Sequence, residues 1–164
     1  VAKAMGMDVK INVVIMKGVN EGEVDELIQY ARGIGGSLQL IELEDLNLEP
    51  SFFREHYLDL SSVESRLLGM ADRVEARGEM NNRKRYIMGD LSVEVVRPAN
   101  NSHFCMSCTR LRVTSDGKLK PCLMRSDNLV DLLGPMRAGC TDAALKQLFE
   151  DASRLREPYY RQAS

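Results

Sequence analysis

The 164-residue chain has no tryptophan, and only 5% of its residues are aromatic. Proteins that bind single-stranded nucleic acid stack bases on aromatic side chains lining a basic groove. With so few rings and a formal net charge of −2, the chain is not composed as such a platform, and nucleic acid is not an expected partner. Long apolar runs are missing too. None approaches the roughly 20 residues that carry a helix across a bilayer, so no membrane partner is expected. No charged n-region and apolar h-region open the sequence. There is no internal repeat and no low-complexity tract. Cysteine is sparse, at four residues. All four fall between Cys105 and Cys140, and with no leader ahead of them they point to a reducing, cytoplasmic setting and to metal use, not to disulfides.

What is present suits a globular domain with its own core: 44% hydrophobic and 28% charged residues. The charge is uneven. Residues 77–125 hold ten Lys or Arg and four acids, a local excess of +6, which leaves −8 for the remainder. A basic segment in an acidic chain points to an anionic small molecule.

That segment contains FCMSCTRLRVTSDGKLKPCL, from Phe104 to Leu123. Cys105, Cys108 and Cys122 stand at C-x2-C-x13-C. Asp116-Gly117 is a hairpin turn signal, and Leu111 to Thr114 alternate as a half-buried strand does. A hairpin here returns Cys122 towards the Cys105–Cys108 pair and suggests one soft-metal site of three thiolates. Arg110 and Arg112, two residues apart, share one face of an ideal strand. Structural zinc wants four ligands; His103 or Cys140 offers a fourth, but neither sits at a zinc-module spacing. A four-iron cluster on three cysteines leaves one iron open. Paired arginines beside it suit phosphate, whose oxygens match the guanidinium fork. Zinc, an iron-sulfur cluster and plain buried thiols all remain open on the residues alone.

The rest of the chain reads as α/β. Val9 to Met16 is an apolar run of strand length, suited to a strand buried on both faces. A helix is expected over Glu21 to Arg32, stopped by Gly33, Gly35 and Gly36, with a second strand over Leu38 to Leu43. This makes one βαβ unit that needs neighbours to cover it. Lys10 and Asn12 share a face of the first strand, and Glu42 lies near the end of the second. Ser51 to Tyr57 reads as a helical turn. Ser61 to Met70 reads as a helix capped by Ser61 or Ser62 with Glu64 as capping-box partner. A weak strand is centred on Val74. Arg83–Met88 and Leu91–Arg97 flank Gly89-Asp90 as an antiparallel hairpin, whose basic rim is expected to be solvated more than ligand-bound. Pro98 to His103 reads as a polar loop and Asn128 to Leu133 as a short helix. Thr141 caps the clearest helix, whose stripe is Ala144, Leu145, Leu148, Phe149, Ala152 and Leu155, ending at Pro158. Cys140 reads as a small buried residue.

The cysteine–arginine stretch, with VKINVVIMKGVN and LIELE, resembles the C-terminal part of the radical S-adenosylmethionine family of molybdenum cofactor biosynthesis, the GTP 3′,8-cyclases. NRKRY, EVVRP and REPYY resemble its archaeal branch. The resemblance implies a fold in two parts. Residues 1–50 would be the final βαβ unit of an incomplete TIM-like barrel. Residues 51–164 would be an α+β region that binds an iron-sulfur cluster and GTP, with antiparallel hairpins and a C-terminal helix. It implies that Cys105, Cys108 and Cys122 ligate a 4Fe-4S cluster with an open iron for the GTP base. Arg110 and Arg112 would hold substrate or intermediate, Lys10 the GTP phosphates, and Asn12 S-adenosylmethionine. The implied reaction starts from a 5′-deoxyadenosyl radical and gives (8S)-3′,8-cyclo-7,8-dihydroguanosine 5′-triphosphate, a lyase activity. The implied partners are GTP, S-adenosylmethionine, an accessory pterin synthase downstream and a homodimer. The full-length enzyme would carry a second 4Fe-4S cluster.

The sequence departs from the family in three places. It has no C-x3-C-x2-C motif for the radical-generating cluster, so this chain alone is expected not to cleave S-adenosylmethionine. Gln39 stands where members often have Arg. The Gly-Gly tail of many members is replaced by Gln162-Ala163-Ser164. The competing class is a non-catalytic zinc- or iron-sulfur-binding module, or a standalone paralogue within the family.

Overall fold

The apolar run from Val9 forms a strand that is buried on one face only. In the computed structural model, which describes residues 1–46, 48–78, 81, 83–98 and 102–157, β1 is Lys10–Ile15 and alternates exposed with inward-facing positions. A 3₁₀ turn at Glu21–Glu23 leads into α1, Val24–Gly33, and β2 is Ser37–Glu42. β1 and β2 pair in parallel, as the βαβ reading requires. β1 is an edge strand of the sheet, and its exposed positions, Lys10, Asn12 and Val14, lie on the face opposite the one that packs against α1.

The chain divides into two compact units, residues 1–107 and 108–164. In the first, α2 is Pro50–His56, α3 Ser61–Met70, β3 Arg73–Arg77, β4 Arg83–Met88, β5 Leu91–Val96 and α4 Ser102–Met106. The sheet order is β1-β2-β5-β4-β3, with β2 and β5 parallel and β5, β4 and β3 antiparallel. The sheet therefore runs across residue 50. Register sorts its side chains into two faces. Leu38, Leu40, Val93, Val95, Tyr86, Met88 and Leu91 pack with Val24, Ile28 and Ala31 of α1 and with Leu60 and Leu67. The other face carries Lys10, Asn12, Gln39, Glu94, Arg85, Arg83 and Arg77.

Beside the apolar face, Arg97 joins three carboxylates. Its Nε donates to Glu42 Oε1 at 3.0 Å, Nη1 to Glu64 Oε2 at 2.7 Å and Nη2 to Asp59 Oδ1 at 3.1 Å. Tyr86 OH also donates to Glu64, at 3.1 Å. The expected capping box is therefore not formed: Glu64 is turned to Arg97 and Tyr86, and it is Asp59 Oδ1 that accepts the Ser61 N–H, at 2.6 Å. Burial pushes the Glu42 carboxyl above its ordinary range, despite the Leu60 N–H and Arg97.

The second unit holds β6 (Arg112–Val113), β7 (Lys118–Lys120), β8 (Val130–Asp131), α5 (Leu133–Arg137) and α6 (Asp142–Arg154). The three strands form an antiparallel sheet in chain order. The short helix expected over 128–133 is instead β8, and α5 starts only at Leu133. Gly117 is required by the turn. Its φ is +79°, and a Cβ there would meet Leu133 Cβ at 2.5 Å. Hydrogen bonds from Lys118 and Thr114 hold the Asp116 carboxyl at about 2. Thr141 caps α6 by accepting the Ala144 N–H at 3.2 Å. The expected stop at Pro158 lies outside the described residues. Among the described residues no helix is long and apolar enough to cross a membrane.

The buried stripe of α6 is narrower than its sequence suggests. Leu145, Leu148 and Ala152 pack with Leu119, Leu132, Leu111 and Val130, whereas Phe149 and Leu155 are 42% and 47% exposed. Leu148→Ala is therefore expected to cost about 2 kcal/mol or more and Phe149→Ala less than about 1 kcal/mol in chemical unfolding. Equal losses would put Phe149 in the core after all.

Candidate functional site

The cysteine hairpin forms within the second unit. Arg112 pairs with Lys120 across the ladder, so the chain leaves β7 at the end where Cys108 and Arg110 enter β6. That geometry returns Cys122 to the Cys108 end, as the spacing suggests. Cys105 lies on α4 in the first unit. All four cysteines are thiols and half-buried. Among the described residues no group of three or more His, Cys, Asp or Glu is arranged to hold a metal ion. His103 is exposed. Cys140 sits between α5 and α6, its N–H donating to Pro135 O at 3.1 Å.

Arg110 and Arg112 do not share a strand. β6 begins at Arg112, and residues 108–111 lie outside any helix or strand. Arg112 is half-buried and Arg110 exposed. Two residues that sequence reasoning missed fix the backbone at this motif. Asn81, buried at φ +62°, donates its Nδ2 to Phe104 O at 3.0 Å, next to Cys105. Asparagine is among the residues that tolerate this left-handed conformation. Arg156 donates Nη1 to Cys108 O and Nη2 to Arg110 O, the latter at 2.8 Å.

The first unit carries a second cluster, on the face of its sheet away from α1. Glu94 is 1% exposed at the centre of that face. Its Oε1 accepts from Arg77 Nη1 at 2.6 Å and from Arg85 Nε at 3.4 Å. Its Oε2 accepts from Lys10 Nζ at 3.2 Å and stands 3.6 Å from Arg83 Nη1. Arg83 Nη1 also donates to Gln39 Oε1 at 2.9 Å. The basic rim expected to be solvated is thus mostly turned inward: Arg83 is 5% exposed and only Lys84 on β4 faces water. Arg73 and Glu75 complete the charges of this face, five cationic side chains to two acidic ones. Asn12 lies on the same face, level with Gln39 in the register. Period-two spacing placed Lys10 and Asn12 together. Glu94 was hidden by the EVV run around it.

Residues 36–162 match the family model described as Molybdenum Cofactor Synthesis C. The chain belongs to that family. It is 48% identical over 157 residues to a probable GTP 3′,8-cyclase of Methanothermobacter marburgensis, an alignment covering 94% of this chain and 51% of that protein. Similar proteins carrying the same name occur in Methanothermobacter thermautotrophicus, at 46% identity over 95% of this chain and 52% of the relative, and in Thermococcus kodakarensis, at 43% over 93% and 52%. The chain spans about half the length of the curated relatives it matches.

Glu94 also gives this family member a titration signature. Burial would raise its carboxyl, but the hydrogen bond from Arg77 and the charge of Lys10 hold it below the ordinary value of 4.5. A lowered folded pKa gives stability that is present above the unfolded value and lost as pH falls through the folded one. Glu94→Gln is therefore expected to lose on the order of 3 kcal/mol at neutral pH. The deficit relative to the parent should shrink as pH falls below about 4.5, in urea unfolding across pH. A deficit independent of pH would contradict the ion-paired role.

Proposed function

We propose that the chain is the C-terminal part of a radical S-adenosylmethionine GTP 3′,8-cyclase of molybdenum cofactor synthesis. The whole enzyme converts GTP to (8S)-3′,8-cyclo-7,8-dihydroguanosine 5′-triphosphate. In this reading β1, α1 and β2 are the last βαβ unit of a TIM-like barrel, and residues 51–164 bind a cluster and GTP. The observation that carries it is the hairpin that returns Cys122 to the Cys108 end of the sheet, in a chain of this family.

The donor set fits a 4Fe-4S cluster. Cys105, Cys108 and Cys122 are half-buried thiols, and Arg156 Nε, on the side chain that grips the Cys108 loop, is buried with no hydrogen-bond partner among the described residues. A thiolate or sulfide would satisfy such a donor. When bound, the cluster supplies an iron position open to the guanine base. The protein supplies binding and charge. Arg112, half-buried, and Arg110 hold the substrate or its intermediate through planar charge-assisted hydrogen bonds. Lys10 reaches the triphosphate, with the arginines gathered around Glu94 raising the positive field on that face. Arg83, seated against Gln39, supplies a guanidinium where members of the family often carry one at that position. Asn12 contacts S-adenosylmethionine. The product passes to an accessory pterin synthase. Without a C-x3-C-x2-C motif, this chain by itself is expected to release no 5′-deoxyadenosine.

Anaerobic reconstitution is expected to load about four irons and four sulfides per chain. Stoichiometric zinc with no sulfide uptake would favour a structural module. At matched iron content in the full-length enzyme, Arg112→Ala is expected to keep its cluster and cut GTP turnover at least about tenfold, from charge-assisted bonds of roughly 1.5–3 kcal/mol. Arg112→Lys should rescue little. Lys84→Ala, at an exposed position of β4 away from the Glu94 cluster, should remain near the parent. The reverse ranking would place the substrate elsewhere.

A further inference from the structure

The Cys108 loop makes its backbone bonds sideways, to a residue far along the chain. Residues 108–111 belong to no helix or strand, so their carbonyls have no ladder to enter and bond instead to side chains or water. Arg156 meets two of them with one guanidinium: Nη1 donates to Cys108 O and Nη2 to Arg110 O at 2.8 Å. A planar fork bridging carbonyls two residues apart fixes the loop between them more tightly than two independent bonds would, because its donors move as one rigid group.

Arg156 is itself anchored from both sides in sequence. Asn128 Nδ2 donates to Leu155 O at 3.0 Å. Arg125 donates Nη1 to Glu157 Oε2 at 2.7 Å while its Nε and Nη2 hold Asp127 at 2.8 and 2.5 Å. Three consecutive residues after α6 thus fasten the Cys108–Arg110 loop and the Arg125–Asn128 loop that follows Cys122. We propose that Arg156 is a positioning residue that holds the Cys108 loop ready for cluster ligation, with the Arg125–Glu157 pair bracing the segment it stands on.

No sulfur ligand is lost when Arg156 is changed, so the effect falls on the order of the loop and on how readily iron is taken up. Arg156's role toward a cluster rests on the proposed reading of the three cysteines; its hold on the loop does not.

The test uses the full-length protein in two states. In the cluster-free state, iodoacetamide alkylation is followed cysteine by cysteine by peptide mass spectrometry. Arg156→Ala is expected to speed alkylation of Cys108 by about fivefold or more, as local opening of the loop becomes easier, and to leave Cys140 within about twofold of the parent. Arg156→Lys is expected to restore less than half of the protection, because one ammonium cannot bridge both carbonyls in a fork. On reconstitution, the iron and sulfide that Arg156→Ala takes up beyond the roughly four of each in the second cluster are expected to enter at less than about half the parental rate, as the loss of a partner that positions ligand side chains weakens loading. Parental alkylation of Cys108 in Arg156→Ala overturns the proposal. So does equal acceleration at Cys140, which would mean general loosening. If the parent takes up no iron and sulfide beyond the roughly four of each that the second cluster accounts for while Cys108 still accelerates, the three-cysteine cluster reading fails and Arg156 is a structural clamp only.

Discussion

A carboxylate that is 1% exposed and surrounded by cations governs the open face of the five-stranded sheet. An isolated charge at the Glu94 site would be costly, and so would the guanidinium of Arg83 at 5% exposure. Each makes the other tolerable. Because Lys10, Arg77, Arg83 and Arg85 come from β1, β3 and β4 and Glu94 from β5, the pairing also fixes strand register. A slip of one residue would send every one of these side chains to the apolar side. The result is a concentration of positive charge on a rigid support, which an anionic ligand can use without ordering flexible lysines first.

On the opposite side of the same sheet the signs are reversed. Arg97 stands at the centre of Glu42, Glu64 and Asp59. It stitches β2, Asp59 ahead of α3 and α3 itself to the end of β5. Glu42 lies at the end of the LIE segment and is fully buried. Its carboxyl is pushed upward by burial, and its Oε2 has no hydrogen-bond partner among the described residues. One face therefore gathers cations around a carboxylate, the other carboxylates around a cation.

Much of the architecture is legible because its signals are local. The βαβ unit follows from one apolar run, one amphipathic helix and three glycines. The two hairpins follow from Gly89-Asp90 and Asp116-Gly117, and the start of α6 follows from Thr141. What fails is long-range. The capping box at Glu64 looks satisfied until Arg97 and Tyr86, distant in sequence, compete for the same carboxylate. Phe149 sits on the apolar stripe by spacing, yet the small sheet beneath α6 is three short strands wide and reaches only Leu145, Leu148 and Ala152. The cysteines and Arg112 announce themselves by spacing. Arg156 and Asn81 do not, since each acts through a backbone carbonyl far away in the chain, and no pattern in the sequence marks a carbonyl in need of a donor. Arg110 shares a face with Arg112 only on a regular strand, and β6 begins two residues later, at Arg112.

The proposal most open to test is that this chain of the Molybdenum Cofactor Synthesis C family meets the phosphates of GTP with the cations gathered around Glu94. The most direct measurement is equilibrium dialysis of GTP and of guanosine against the full-length protein at matched iron content, at low and high salt. GTP is expected to bind at least about a hundredfold tighter than guanosine, with the margin narrowing as salt screens the phosphates. Equal affinity for the two, unchanged by salt, would contradict the account.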